Sequence, residues 1–423
     1  MVADSATILK RFYFLERELV LLQAGWLPAV EHWESKLLLP EILWQSAVLT
    51  SEFRKRILEL RFPERRLQID DSDGVLRFLP WLGEAPSAAA FVHALGHAIK
   101  PHVLSLYRHY EDLADKLNDG PTLFFLRHAM TDLESHITRL RSLGEATLQA
   151  FPEQAGEAMA WSTAVQELMD SVPAEVFFSQ ESVAIGEVAS LENLRQPFAI
   201  RRTGVRDRRF TRAAFAWPDR HTPQEPGEGL QLQIRQAVHH INEVWAAEMA
   251  AACLYDFGRD GPHEFFEEAA RWCYDEIRHC RMGYERLKAW GFADADIPLD
   301  AFSYNAGAGV DALVRLGIIF FFETTYIHTK PARTKIFAAM GDRLSSHDMD
   351  FDWADELIHT HYGKKWLQAF LAESGDPRSL NDIKEEGQNA VKRQQAAATE
   401  ANKAESLAIF HALLSKVRPA SLL

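Results

Sequence analysis

A five-residue pattern that occurs twice constrains this chain more than anything else in it. Asp275-Glu276-Ile277-Arg278-His279 and Asp355-Glu356-Leu357-Ile358-His359 both read D-E-x-x-H, 80 residues apart. Each motif glutamate is preceded, at one common spacing of 33 residues, by another glutamate: Glu243 and Glu323. On a helix, positions i and i+3 share a face, so each motif Glu and His point the same way. Two such helices, each paired with a helix carrying one more Glu, deliver four carboxylates and two imidazoles to one interior. That set suits a carboxylate-bridged dinuclear metal site. The expected ligands are Glu243, Glu276, His279, Glu323, Glu356 and His359.

Glu323 is the sharpest of the six. It follows Leu316-Gly317-Ile318-Ile319-Phe320-Phe321-Phe322, and an isolated carboxylate in such a stripe costs several kcal/mol. A bound dication removes that cost. Glu243 shares its helical stripe with Ala246, Ala247, Ala250 and Leu254. Glu248, about 140° around the cylinder, is the second choice. His239 and His240 flank the Glu243 stripe, and a hydrogen-bonding role is favoured for them over ligation.

The segment from about His239 to Leu367 resembles the ferritin-like di-iron/di-manganese carboxylate superfamily. It is most similar to a bacterial ferritin-like group placed near the tRNA-modifying di-iron hydroxylases. The resemblance implies two Fe or Mn ions, or a mixed pair, and a dioxygen-activating oxidoreductase acting on a small organic substrate. It also implies that the acid before each motif glutamate, Asp275 or Asp355, accepts the N–H of the opposite histidine and fixes its ring. Tyr326, one turn after Glu323, is the candidate catalytic residue, as a hydrogen-bond donor to the site or a wall of the substrate pocket. The competing functions are metal storage or peroxide detoxification, and a non-catalytic interaction protein that retains the bundle.

The rest of the chain reads as helical. The expected fold is all-α: an N-terminal helical domain (1–175), an Arg-rich linker (176–227), a ferritin-like antiparallel four-helix bundle (228–375) and one long C-terminal helix (376–423). Within the bundle, helices are expected at about Leu230–Phe257, Pro262–Trp290, one carrying Glu323 and Tyr326, and Asp348–Leu371. Pro28 and Pro40 punctuate the N-terminal domain. Its histidines (His93, His97, His102, His109, His128, His136) show no Glu-x-x-His spacing and read as surface or internally satisfied groups.

Residues 195–212 hold seven arginines against one acid, Asp207. The preferred reading is a connector whose arginines pair with acids elsewhere. An anionic substrate or transfer RNA is the less favoured alternative. The net charge of −14 argues against a general nucleic-acid or anionic-membrane surface. Three cysteines are too few for a disulfide framework, and Cys273 and Cys280 read as small buried hydrophobes. With no apolar run of membrane-spanning length and no signal peptide, a cytoplasmic protein is expected. An electron donor and a homodimer complete the expected partners.

Overall fold

A computed structural model of the chain describes residues 1–67, 74–179, 188–216 and 229–416. Helix dominates, as expected, and among the described residues only one pair of short strands interrupts it. The chain divides into two compact units, Met1–Ile200 and Arg201–Leu423. The boundary therefore falls 25 residues beyond the expected end of the N-terminal domain at 175. Of the described residues in the expected linker, 176–179 and 188–200 fall in the first unit and 201–216 in the second. The tract His221 to Gly227 lies outside the described residues.

The first unit contains α1 (Val2–Trp26), α2 (Trp33–Glu59), α3 (Leu79–Leu82), α4 (Ala88–Ala94), α5 (Lys100–Leu113), α6 (Gly120–Ala150), α7 (Ala155–Asp170), α8 (Ala174–Phe177) and α9 (Ala189–Glu192). Pro28 opens the short turn between α1 and α2, where a missing N–H costs nothing. Pro40 lies inside α2 rather than ending it. Its ring removes one intrahelical bond, but Leu38, Leu39, Ile42 and Leu43 around it are all buried, and that packing outweighs the loss. Between α4 and α5 the chain widens into one π-helical stretch, Leu95–Ile99, just before Pro101, which supplies no N–H to the regular ladder. The histidines are satisfied internally where they are buried: His93 Nδ1 meets Ser162 Oγ at 2.6 Å, and His136 Nε2 meets Gln45 Oε1.

The second unit contains β1 (Thr211–Arg212), α10 (Leu230–Asn242), α11 (Val244–Phe257), α12 (His263–Ala289), β2 (Pro298–Leu299), α13 (Phe302–Asn305), α14 (Ala312–Tyr326), α15 (Lys330–Ala339), α16 (Arg343–Ser374), α17 (Leu380–Ala396) and α18 (Glu400–Lys416). The strands pair in parallel, Thr211 with Pro298 and Arg212 with Leu299. Four helices close into a ring: α11 packs on α12, α12 on α16, α16 on α14, and α14 on α11. Local signals set their ends. Asp311 caps α14 by accepting from Val314 N at 2.9 Å, and Asp342 does the same for α16 from Ser345 N at 3.0 Å. Gly375, at φ +64, closes α16 in the left-handed conformation that favours glycine. At Gly283 of α12 an added Cβ would lie 2.3 Å from Ala237 O, so only glycine lets α10 approach this closely.

Two helices differ from expectation. The helix expected over Leu230–Phe257 breaks at Glu243, which caps both α10 and α11. Asn242 explains the break. Its side chain donates to Pro298 O at 3.0 Å and accepts from Asp300 N at 2.9 Å, tying this point to the β2 segment. The C-terminal helix is two helices, α17 and α18. Thr399 separates them: its Oγ1 accepts from Asn402 N at 3.2 Å, starting α18 afresh. Nor does α17 lie loose on the surface; it packs on α14, where a Cβ on Gly317 would meet Ile383 Cγ2 at 2.7 Å.

Candidate metal centre

Four helices of the second unit carry the motif residues inward. Glu243 stands at the break between α10 and α11, Glu276 and His279 on α12, Glu323 on α14, and Glu356 and His359 on α16. All six are buried, His279 and His359 completely. Their donor atoms fall into overlapping groups, each within 4.8 Å across: Glu276, Glu323, Glu356 and His359 form one, and Glu243, Glu276 and His279 another. A third joins His279, Glu356 and Asp352. Glu276 and Glu356 thus belong to both ends of the cluster, Glu323 and His359 to one, Glu243 and His279 to the other. A pair of bridging carboxylates between two terminal Glu/His sets has this connectivity.

Both imidazoles turn Nδ1 into the cluster. His279 Nδ1 lies 3.3 Å from Glu243 Oε2 and 3.5 Å from Glu276 Oε2. His359 Nδ1 lies 3.0 Å from Glu276 Oε1 and 3.9 Å from Glu323 Oε1. The opposite ring nitrogens face the acids of the other motif: His279 Nε2 is 3.3 Å from Asp355 Oδ2, and His359 Nε2 is 3.5 Å from Asp275 Oδ2. Arg278 Nη1 links those two acids, at 2.7 Å from Asp275 and 3.1 Å from Asp355. Around the cluster, Glu243 Oε2, His279 Nδ1 and both ring nitrogens of His359 are buried without a hydrogen-bond partner among the described residues, and all but His359 Nε2 point into it. Orphaned ligand atoms that converge on one point, as those three do, are costly unless a cation gathers them. The residues therefore fit a pair of divalent ions with oxygen and imidazole ligands.

Asp352, Lys330 and Trp272, around this core, escaped the sequence reading. Asp352, fully buried, lies 3.6 Å from His279 Nδ1 and 3.4 Å from His240 Nε2. It sits four residues before Glu356 on the same face of α16, a spacing that could have flagged it. His240 joins Asp352 and Glu243 in a further potential ligand group. Lys330 Nζ pairs with Asp352 and with Glu356, the latter at 2.9 Å. No periodic signal marks Lys330, which starts a short helix after a break. Trp272, one turn before Glu276, donates from Nε1 to both Glu276 Oε1 and Glu323 Oε1 at 3.2 Å, and its ring stacks on His359.

Burial and mutual charge reshape the titration of the cluster. Glu356, buried and facing the Glu276 charge, is pushed up to about 8. Burial would lower His359, but its contacts with Asp275 and Glu276 and the Glu276 and Glu356 charges lift it to about 9. His279 goes well above the ordinary imidazole range: burial opposes, while Asp352, Asp355, Glu243 and Glu276 win. Asp352 is held below the usual carboxylate range despite burial, chiefly by the Lys330 ammonium and then His279.

Other candidate residues lie elsewhere. Tyr326 is half exposed at the end of α14, and its hydroxyl makes no hydrogen bond to a described residue. It lines a cavity beside the cluster, whereas Trp272 is the donor to the carboxylates. Glu248 is not near the cluster; it makes a buried two-point pair with Arg206, at 2.8 and 2.9 Å. His239 Nε2 contacts Glu243 Oε1 at 3.2 Å from the exposed side. Arginines of the Arg-rich stretch pair with acids: Arg195 with Glu84 and Glu192, Arg202 with Asp256, and Arg209 with Asp207. Cys253, Cys273 and Cys280 are buried thiols, all pushed up by burial.

A family model described as "Protein of unknown function (DUF455)" matches residues 190–407, just over half of the chain. The chain belongs to the DUF455 family. The matched stretch spans every residue of the cluster, from Glu243 to His359, together with α17 and the start of α18. No curated protein and no solved structure matches this DUF455 chain. No described helix is long and apolar enough to cross a membrane.

Proposed function

We propose that this DUF455 chain is a ferritin-like four-helix protein that holds two iron or manganese ions and oxidises a small organic substrate with dioxygen. One observation carries the reading above all. Each histidine turns Nδ1 toward shared carboxylates while Nε2 faces the acid of the opposite motif. An acid at that place holds the Nε2 proton, fixes the ring and raises its basicity as a ligand. The ions, when bound, supply a redox-active, Lewis-acidic centre at which dioxygen is reduced.

The chain's own residues prepare that centre. Glu243 and His279 would hold one ion and Glu323 and His359 the other, with Glu276 and Glu356 within reach of both sets. Trp272 Nε1 orients one oxygen of Glu276 and one of Glu323. Lys330 Nζ lies against Asp352 and Glu356 and so offsets the carboxylate excess. A cavity of about 340 Å³ opens beside the cluster, and Glu243, Glu276, Glu323 and Glu356 form part of its wall. Its apolar side, with Trp245, Phe321 and Phe322, excludes water and gives an organic molecule a surface to lie on. A storage protein has no need of such a chamber, and this favours catalysis.

The test is metal analysis of protein purified without added metal, with absorption and paramagnetic resonance spectra of the same sample. About two ions per chain with the spectra of a coupled pair is the expected result. A chain that takes up neither iron nor manganese when both are supplied after chelation would not be such a protein.

A further inference from the structure

The cavity beside the cluster has a second feature that the metal reading does not use. Although the chain carries a net charge of −14, this chamber gathers Arg235, Lys330, Arg333 and Lys392 on its wall. Lys330 is committed to Asp352 and Glu356. Arg235, on α10, and Arg333, on α15, are both partly buried. Arg235 is brought down to about 10, first by burial and then by the nearby Arg333 charge. Arg333 is lowered by burial as well, even with Asp352 and Glu243 close enough to oppose it. A second guanidinium beside Arg333 in this partly dehydrated space raises the gain from a negative group placed there. Arg333 makes only one hydrogen bond to a described residue, from Nη1 to the neutral Gln236 Oε1 at 3.0 Å. Its remaining N–H groups can therefore serve a ligand, and a guanidinium fork is the donor that matches a carboxylate or phosphate at two points.

We propose that this cavity binds a small organic anion, its carboxylate or phosphate group held by Arg235 and Arg333 and its apolar body lying along Trp245, Phe321 and Phe322 toward the Glu/His cluster. As an identification of the substrate class it rests on the cluster being the reaction centre; as a binding site it does not. The chamber's wall carries both charges: the guanidiniums would hold the head group, and the cluster carboxylates would face the part of the molecule that is to react. An anion placed directly on the carboxylates would be repelled.

Trp245, on the cavity wall, makes binding visible by fluorescence. The probes are phenylacetate and phenyl phosphate, with phenylacetamide as the neutral control, titrated into chelator-treated and manganese-loaded full chain. Both anions should bind saturably in the millimolar range or below. Arg333→Gln and Arg235→Gln should each weaken them about tenfold while leaving phenylacetamide unchanged, and Arg333→Lys should restore part of the loss. Added sodium chloride should weaken the anions alone, which keeps the test valid in the parent chain if a variant misfolds. Binding of the anions and the amide with equal strength, insensitive to salt and to both substitutions, overturns the proposal. So does the absence of any saturable binding, or saturable binding of transfer RNA with none of the small anions. Metal content measured on the same samples separates the two readings. Arginine-dependent anion binding in a chain that holds no metal leaves this site standing without the dinuclear centre. Two bound ions with no arginine dependence does the reverse.

Discussion

Loading metal into the chelator-treated protein should expel protons, and the structure sets how many. At pH 7 His359, lifted to about 9, and Glu356, lifted to about 8, both carry a proton. His279, raised well above its ordinary value, carries a third. None of the three can ligate through the protonated atom, so two ions entering the cluster must displace all three. The work is about 2.7 kcal/mol for two pH units at His359 and about 1.4 kcal/mol for one at Glu356. Apparent affinity should therefore rise with pH, by about tenfold per pH unit for each proton displaced, until the pH passes these values. Manganese(II) titrated into weakly buffered protein with a pH indicator dye counts the protons directly, and calorimetry in two buffers of different ionisation enthalpy checks the count. About three protons per chain are expected at pH 7, and clearly fewer at pH 9. Release of less than one proton at pH 7, with two ions bound, would mean that the cluster is not the metal site or that its imidazoles are not ligands.

Three further outcomes are expected. Glu323→Gln should leave the chain folded, by circular dichroism, but bind less than two ions, since an amide oxygen is a weaker donor to a hard cation; full metal content with unchanged activity would remove Glu323 from the ligand set. Asp275→Asn and Asp355→Asn should each weaken metal binding by about 10- to 100-fold by releasing the His359 or the His279 ring, and equal loss from an exposed control such as Asp350→Asn would show the effect to be non-specific. The first unit should lose stability in mild acid: burial holds His93 at about 4 and His136 at about 3, below the ordinary 6.5. The unfolded chain then takes up protons that the folded chain refuses, so stability present above pH 6.5 is lost as pH falls toward these values. The loss is roughly 2 kcal/mol per histidine by pH 5, and a melting temperature that does not fall between pH 7 and 5 would contradict it.

How much of this was legible depended on whether the signal was local. Glu276, His279, Glu356 and His359 follow from i, i+3 spacing within single helices, and Glu323 from a carboxylate set in a run of phenylalanines. The structure brings all six expected ligands together. The break at Glu243 was not legible, because the hydrogen bonds that hold Asn242 come from Pro298 and Asp300, far along the chain. Lys330 was hidden for the same reason: its partners lie one helix away, and no pattern in its own segment points to them. Asp352 and Thr399 were legible and passed over, the first an i+4 neighbour of Glu356, the second an N-cap three residues before Asn402. Pro40 misled in the opposite direction, since the packing of α2 overrides the local penalty that a proline imposes.

The 80-residue echo also explains why the two ends of the cluster are not alike. The shift that carries Glu243 to Glu323 and His279 to His359 reproduces the contacts of one end at the other. Glu243 meets His279 at 3.3 Å and Glu323 meets His359 at 3.9 Å, and each imidazole faces the other motif's aspartate. The same shift carries Trp272 to Asp352, His240 to Phe320 and Ala250 to Lys330. So the repeat is kept where the donor atoms converge and abandoned one layer out. An ion at the His359 end would lie beside an indole ring that stacks on its imidazole and donates to its carboxylates. An ion at the His279 end would meet an extra carboxylate, Asp352, with His240 and Lys330 against it. A fully symmetric site would hold two equivalent ions, and neither end would have reason to react first. The departures at 272/352 and 250/330 place different charge and polarity at the two ends, so two ions held there would differ in environment before any substrate entered.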